Sequence, residues 1–323
     1  MKKTKLGNTE LKVTPVGFGV LTVGNTQLNL PVDEGAALIK YAASRGINFF
    51  DTAQYYETYP YLKEGLKDID ITNANPDRPV ICSKCLGSTY SDMEDAINEA
   101  LTELNTDVID IFLLHEVLSP QDFRWRDGAL KALLDYKAKG ILSAIGLSTH
   151  YVDVTEMAAD IPELDVVFPL INYAGLGIRK GDGQGTAEEM AAAIAKCHHA
   201  GKGVFAMKAF GGGNLTANYV HALNFVRDLE GIDSIMVGIG ALDQVDRLVE
   251  FAEGTLDPAY VPDVSKKRMF VEPGNCEACG ACVRRCPNMA IHIGANIAEI
   301  DYEKCITCGY CAPVCPIRAL IML

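Results

Sequence analysis

No apolar run in the sequence approaches the ~18 residues that a membrane-spanning helix needs, so no span is predicted. The opening stretch, MKKTKLGNTELKVTP, is basic but has no apolar segment behind it, which excludes a secretory signal. Positive charge is also scarce: 29 Lys and Arg stand against 42 Asp and Glu, a formal net charge of −13. So acidic a chain has no electrostatic reason to bind nucleic acid or an anionic membrane, and neither is expected as a partner. Cysteine is sparse through most of the length, with only Cys82, Cys85 and Cys197 before residue 276. These absences point to a globular protein of the cytoplasm.

What the chain does have is concentrated at its end. CEACGACVRRCPN (276–288) and CITCGYCAPVCPI (305–317) each carry four cysteines at the same offsets, closed by proline. In a reducing compartment such spacing argues for metal ligation and against disulfides. It is the pattern of bacterial ferredoxins with two clusters, in which the fourth cysteine of each run ligates the other cluster. One [4Fe–4S] cluster is therefore expected on Cys276, Cys279, Cys282 and Cys315, and its twin on Cys305, Cys308, Cys311 and Cys286. Gly280 and Gly309 let backbone amides turn toward sulfur. AIHIGANIAEID and the terminal ALIML read as short strands covering the clusters. Zinc is the competing ligand, but zinc sites rarely need two interleaved runs of four. Over about fifty residues the tail resembles the ferredoxin family, a small α+β fold.

Ahead of the tail, strand and helix patterns alternate. Strands are predicted at 16–19, 47–51, 79–84, 108–115, 141–148, 166–171, 203–208 and 234–238. Segments such as EGAALIKYAASRG and DMEDAINEALTELN, with apolar residues at helical spacing, lie between them. Eight buried strands each followed by a helix predict a closed parallel (β/α)8 TIM barrel, an α/β fold. The N-terminal stretch reads as a β-hairpin plugging the barrel floor. The expected division is a barrel over 1–253, a linker over 254–268 carrying Pro258 and Pro262, and the cluster domain over 269–323.

In such barrels chemistry sits at the C-terminal ends of the strands. The second predicted strand ends in Asp51, with Tyr56 five residues on; the third ends in Lys84 and the fourth in His115. A tyrosine is a weak acid, with a reference pKa of about 10. A neighbouring lysine cation would lower that value, and Asp51 would keep the lysine charged. A neutral imidazole can orient a substrate carbonyl. Together the four form a proton donor for carbonyl reduction, or an acceptor for alcohol oxidation.

FFDTAQYY, SKC and FLLH match the Asp, Tyr, Lys and His tetrad of the aldo-keto reductases in order and strand position. GLSTH (146–150) also resembles that family's segment after the fifth strand. The resemblance covers about residues 4–252. It implies Tyr56 as general acid, Lys84 and Asp51 tuning it, and His115 orienting the carbonyl of a small carbonyl or alcohol substrate. It also implies NAD(P)H across the barrel mouth. The candidate contacts are Ser148, with Phe210 and Gly212 in AFGGGN, and Gly238 and Gly240 in VGIGALDQV, where backbone amides suit phosphate.

Several positions depart from the family. Met207 stands where an aromatic ring stacks on nicotinamide, Phe168 replaces a glutamine, and Thr149 replaces an asparagine. Gly240-Ala241 lacks the charge that grips a 2′-phosphate, which favours NAD over NADP; Arg247 or Lys208 is a candidate to compensate. Glu57 follows the tyrosine where a glycine is usual. Clusters pass single electrons whereas nicotinamide carries hydride, so the tail raises a second expectation: a reductase fed by a redox protein partner without nicotinamide. A third is an electron carrier on a barrel that does not catalyse.

Smaller features carry bland readings. Cys82 and Cys85 bracket Lys84, but strand positions three apart face opposite sides. The CHH at 197–199 lies late in a helix, where adjacent side chains diverge. His150 and Trp125 are placed to line the mouth from loops.

Overall fold

The computed structural model describes residues 1–25, 27–263, 268–286, 288–305, 309 and 311–322, so the predicted ligand Cys308 lies outside the described residues. A hairpin, β1 (Thr4–Lys5) and β2 (Lys12–Val13), precedes a closed barrel. The barrel strands in chain order are β3 (Val16–Gly19), β4 (Phe49–Asp51), β5 (Val80–Cys85), β6 (Ile109–Leu114), β7 (Leu142–Thr149) and β8 (Val166–Pro169). A small hairpin, β9 (Arg179–Lys180) and β10 (Gly183–Gln184), interrupts the series before β11 (Gly203–Ala206) and β12 (Ser234–Gly238). Each barrel strand pairs in parallel with its neighbours, and β12 closes on β3.

Alternation along the strands sorts the side chains into two cores. Phe49, Cys82, Ile111, Leu113, Ala144, Phe168, Phe205 and Met236 fill the barrel interior. Phe50, Phe112, Leu114, Ile145 and Leu147 point outward to the helices. Burying one such side chain stabilises the fold by roughly 1.5–3 kcal/mol. Leu6 and Val13 of the first hairpin join the interior core and stop the barrel floor, as the sequence predicts. Cys82 lies in the inner core and Cys85 in the outer one, so the pair does not converge.

The encircling helices are α1 (Val32–Ser44), α2 (Tyr59–Gly65), α3 (Tyr90–Leu104), the short α4 (Pro120–Trp125), α5 (Asp127–Ala138), α6 (Val152–Ala159), α7 (Ala187–His199), α8 (Tyr219–Arg227) and α9 (Leu242–Glu253). Local signals set their ends. Thr89 and Thr186 each cap a helix reciprocally with an acid three residues on, Asp92 and Glu189. Gly254 ends α9 in the left-handed conformation.

Beyond α9, Tyr260 packs edge-on against Tyr219, holding the descending chain to the barrel. The C-terminal domain then pairs β13 (Met269–Val271) with the last strand, β16 (Leu320–Met322). Between them lie α10 (Ala281–Arg285) and a hairpin of β14 (Ile291–Ile293) and β15 (Ala298–Ile300). Met269, Ile291, Ala312, Ala319 and Leu320 make a small core together with the cysteine side chains. Among the described residues no helix is long and apolar enough to cross a membrane.

Candidate active site and cluster seat

Strand parity builds the site. Asp51 follows the inward Phe49 by two residues, Lys84 follows Cys82 by two, and His115 follows Leu113 by two, so all three face inward at one end of the barrel. Lys84 is 1% exposed, Asp51 5% and His115 8%. Lys84 Nζ lies 2.8 Å from Asp51 Oδ1 and donates to the Thr52 carbonyl. Tyr56 ends a short 3-10 turn, Gln54–Tyr56, and Glu57 follows in the left-handed conformation. Two hydroxyl pairs fix this turn from behind, Thr52 with Thr58 and Tyr59 with Ser83, each at 2.7 Å. Tyr56 Oη then sits 3.2 Å from His115 Nε2, and Lys84 Nζ lies 4.7 Å from the centre of the Tyr56 ring. The four predicted tetrad residues are together.

The electrostatics differ from expectation in one respect. Tyr56 is not acidified on balance. Burial is the main influence and pushes the phenol well above its ordinary value, and the carboxylates of Asp51, Glu272 and Glu116 push the same way. The lysine charge is matched by Asp51 at its side, so little of it is left for the phenol. Asp51 is itself raised by burial, against the pull of Lys84. His115 is held well below the usual imidazole range by burial and then by the charges of Lys84, Arg126 and Lys208, so its ring is neutral.

Sequence reasoning missed the groups that hold His115. Arg126 Nη1 donates to the His115 carbonyl at 2.7 Å, and its Nε and Nη2 grip both oxygens of Asp122. Arg126 is 7% exposed, and a basic residue between two short helical segments carries no signal of that burial. Ser148 Oγ accepts the Glu116 N–H at 2.8 Å, which fixes the backbone beyond His115.

The C-terminal domain lies on the same end of the barrel. The Met322 N–H donates to the Gly212 carbonyl at 2.7 Å, and the Met322 carbonyl lies against the α-carbon of Gly213. Gly211, Gly212 and Gly213 have φ of 57°, 66° and 83°, a run that side-chain-bearing residues rarely adopt. Arg179 Nη1 donates to the Pro316 carbonyl at 3.0 Å. Arg318 packs on Gly177, and Gly274 packs on the Tyr55 hydroxyl. Glu272 and Arg318, both nearly buried, thus come from the cluster domain toward the barrel mouth. Burial brings the Arg318 guanidinium down to about 10, with Cys315 opposing.

The five residues expected to hold a dinucleotide have other partners. Ser148 holds Glu116, and Phe210 stacks on Tyr219 with ring centroids 4.8 Å apart. Gly212 receives Met322; Gly238 packs against Thr22; Gly240 packs against Leu28 and donates its N–H to Gln244 Oε1 at 2.9 Å. Arg247 pairs with Glu250 at 2.7 Å. Phe168 stacks on Phe205 inside the barrel, with centroids 4.3 Å apart. Each of these residues thus has a partner within the chain itself.

The cysteines do fit a cluster. Cys276, Cys279, Cys282 and Cys315, three from the first run and the last from the second, line one pocket with Val271, Ile317 and Leu320. Ala298 N–H donates to Cys276 Sγ at 3.3 Å, and Ala290 N–H does the same for Cys286 Sγ. Such bonds favour thiolate over thiol. Cys286, Cys305 and Cys311 border the same small core.

The structure is thus a parallel barrel with Asp, Tyr, Lys and His gathered at the ends of three consecutive strands, roofed by a cysteine-rich domain. The chain belongs to the aldo/keto reductase family, which residues 15–259 match, and residues 268–316 match the 4Fe-4S dicluster domain. It is 28% identical to L-galactose dehydrogenase of Arabidopsis thaliana over 182 residues, 54% of this chain and 56% of that protein. The tail is 46% identical to a ferredoxin of Alicyclobacillus acidocaldarius over 53 residues, 16% of this chain and 68% of that one. The barrel overlays PA4992 of Pseudomonas aeruginosa with a TM-score of 0.64 at 23% identity, covering 79% of this chain and 96% of that one. At that identity the likeness speaks for the fold alone. The chain spans about half the length of the curated barrel relatives it matches.

Proposed function

We propose that the protein is an oxidoreductase that interconverts a small carbonyl compound and its alcohol, with electrons delivered singly through two [4Fe–4S] clusters in the C-terminal domain. The observation that carries the reading is the seat of the last strand. Met322 lies on Gly212 and Gly213, the loop expected to receive dinucleotide phosphates, while Glu272 of the cluster domain acts on Tyr56. Bound on its cysteines, a [4Fe–4S] cluster supplies low-potential single electrons. A small redox protein is the class of donor that fits.

The residues of the barrel supply the acid–base half. His115, neutral and 3.2 Å from the phenol, orients a carbonyl oxygen between itself and Tyr56. Tyr56, held protonated by burial, gives up its proton as negative charge develops on that oxygen. Lys84, 4.7 Å from the centre of the phenol ring, is held in place there by Asp51. In oxidation the same groups act in reverse.

The test is reduction of an aldehyde panel by the cluster-loaded protein with reduced methyl viologen as donor. Turnover that disappears in both Tyr56→Phe and Cys279→Ala supports the reading. Electron flow through the clusters that Tyr56→Phe leaves unchanged would make the barrel a passenger of an electron carrier.

A further inference from the structure

Single electrons change the proton requirement of the site, and the inference that follows rests on the reading above. A hydride brings the carbon-bound hydrogen with it; two electrons arriving one at a time do not. The balance is one carbonyl group plus two electrons plus two protons giving one alcohol, with one proton on oxygen and one on carbon. In the tetrad, Lys84 is locked to Asp51 and Thr52, and His115 is neutral, so Tyr56 is the one side chain placed to give a proton to oxygen. A second donor is needed.

Glu116 is a candidate, since its carboxylate is within electrostatic reach of Tyr56. It follows His115 directly and holds φ of 53°, a left-handed conformation that costs a glutamate energy and that functional sites maintain against strain. Its N–H is fixed by Ser148 Oγ at 2.8 Å, and its Oε1 lies 4.0 Å from His150 Nδ1. The side chain is 33% exposed, which leaves a path for its proton to be replaced from water. We propose that Glu116 supplies the proton that the substrate carbon takes up. In the first half the Tyr56 O–H breaks as the carbonyl oxygen gains its proton. In the second half the Glu116 O–H breaks as carbon gains the other. Both residues are reprotonated by water, and the two electrons come from a low-potential one-electron donor.

The surroundings shift this carboxyl toward its protonated form. Burial raises Glu116 above the ordinary carboxylate range and the Glu272 carboxylate adds to it, while Lys208 and Arg126 oppose. Facing it are Tyr56 from the turn after β4, His115 beside it, Arg126 before α5, His150 after β7, Lys208 after β11 and Glu272 from the cluster domain. His150 is itself held neutral by burial and then by Lys208 and Arg318, so it does not act as a counter-charge.

The test begins without substrate. Infrared spectra of the reduced, cluster-loaded protein at pH 7 are compared for wild type and Glu116→Gln, which keeps the shape and has no acid proton. A carboxylic-acid C=O band present in wild type and missing in the variant is expected, and Glu272→Gln should make that band titrate away at a lower pH. No difference between wild type and Glu116→Gln would mean that Glu116 is ionised, and would overturn the assignment. The second arm uses benzaldehyde and reduced methyl viologen in heavy water. Wild type should place deuterium on the alcohol carbon. Glu116→Gln should lose turnover by at least ~10²-fold, the usual scale of one general acid. Unchanged turnover and labelling in that variant would remove Glu116 alone. Label reaching carbon from 4-deuterated NADH would instead remove the cluster-fed reading on which the assignment rests.

Discussion

The N–H of Met322 donates to the carbonyl of Gly212 at 2.7 Å, joining the last strand of the cluster domain to the loop beyond the seventh strand of the barrel. One backbone bond is weak, but here it is backed by Ile321 against Gly212, Met322 against Gly213 and Arg179 on Pro316. The cluster domain is thereby fixed over the barrel mouth, with Glu272 within electrostatic reach of Tyr56.

Gly213 is the most demanding point of this joint, since it combines a φ of 83° with contact of its α-carbon on the Met322 carbonyl. Gly213→Ala should destabilise the protein by about 1–2 kcal/mol from the backbone conformation alone, and by more from the clash. Denaturant unfolding measures the loss, and faster protease cleavage within residues 254–263 should accompany it. Unchanged stability and cleavage would mean that the strand does not rest on this loop.

Chemistry and stability separate cleanly within the tetrad. Tyr56→Phe should lower turnover by about 10²–10⁴-fold. It should cost only about 0.5–1.5 kcal/mol of stability, because it removes one hydrogen bond, to His115, and no packing. Lys84→Met should also abolish turnover, but at a stability cost of about 3–5 kcal/mol, since it leaves Asp51 buried and unpaired. Paired kinetics and denaturation curves tell the two apart.

The exchange of fourth cysteines predicts which substitutions resemble each other. Cys279→Ser and Cys315→Ser should lose the same EPR signal although the residues lie in different runs, because both line one cavity. Cys286→Ser and Cys311→Ser should lose the other. Each variant should retain about four of about eight iron atoms per chain. If Cys279→Ser and Cys286→Ser lost the same signal, each run would hold its own cluster.

Acid should destabilise the protein through two buried imidazoles. His115 and His150 are both held well below the ordinary value of 6.5, so below that value the unfolded chain binds protons that the native one refuses. Stability is therefore complete above the unfolded value and is lost as pH falls beneath about 6.5. Urea unfolding between pH 7 and pH 5 should show the decline, and His150→Asn should make it shallower. Equal slopes in the two proteins would place the acid sensitivity elsewhere.

Much of this site was legible because strand parity is a local property. FFD, CSK and LLH each put an apolar residue two places before a polar one, so the inner core and the tetrad are written in one pattern. The company of Cys315 with Cys276, Cys279 and Cys282 was legible for a similar reason, since spacing alone carries it. The direction of the Tyr56 shift was not, because it depends on burial and on Asp51, Glu116 and Glu272 acting together, two of them outside the tetrad. Nor was the purpose of Gly211–Gly213. A glycine run announces unusual backbone, and only the fold brings Met322 to it. Glu116 escaped notice because a glutamate after a strand reads as a solvated loop residue.

The central question is how electrons reach the substrate. The most direct measurement is an anaerobic optical titration of the cluster-loaded protein with NADH, with NADPH and with reduced methyl viologen. We expect the one-electron donor to bleach the cluster absorbance, and neither nicotinamide to bleach it or to bind measurably. Stoichiometric bleaching by NADH or NADPH would contradict the account, because a dinucleotide would then have found room beneath the strand that ends at Met322.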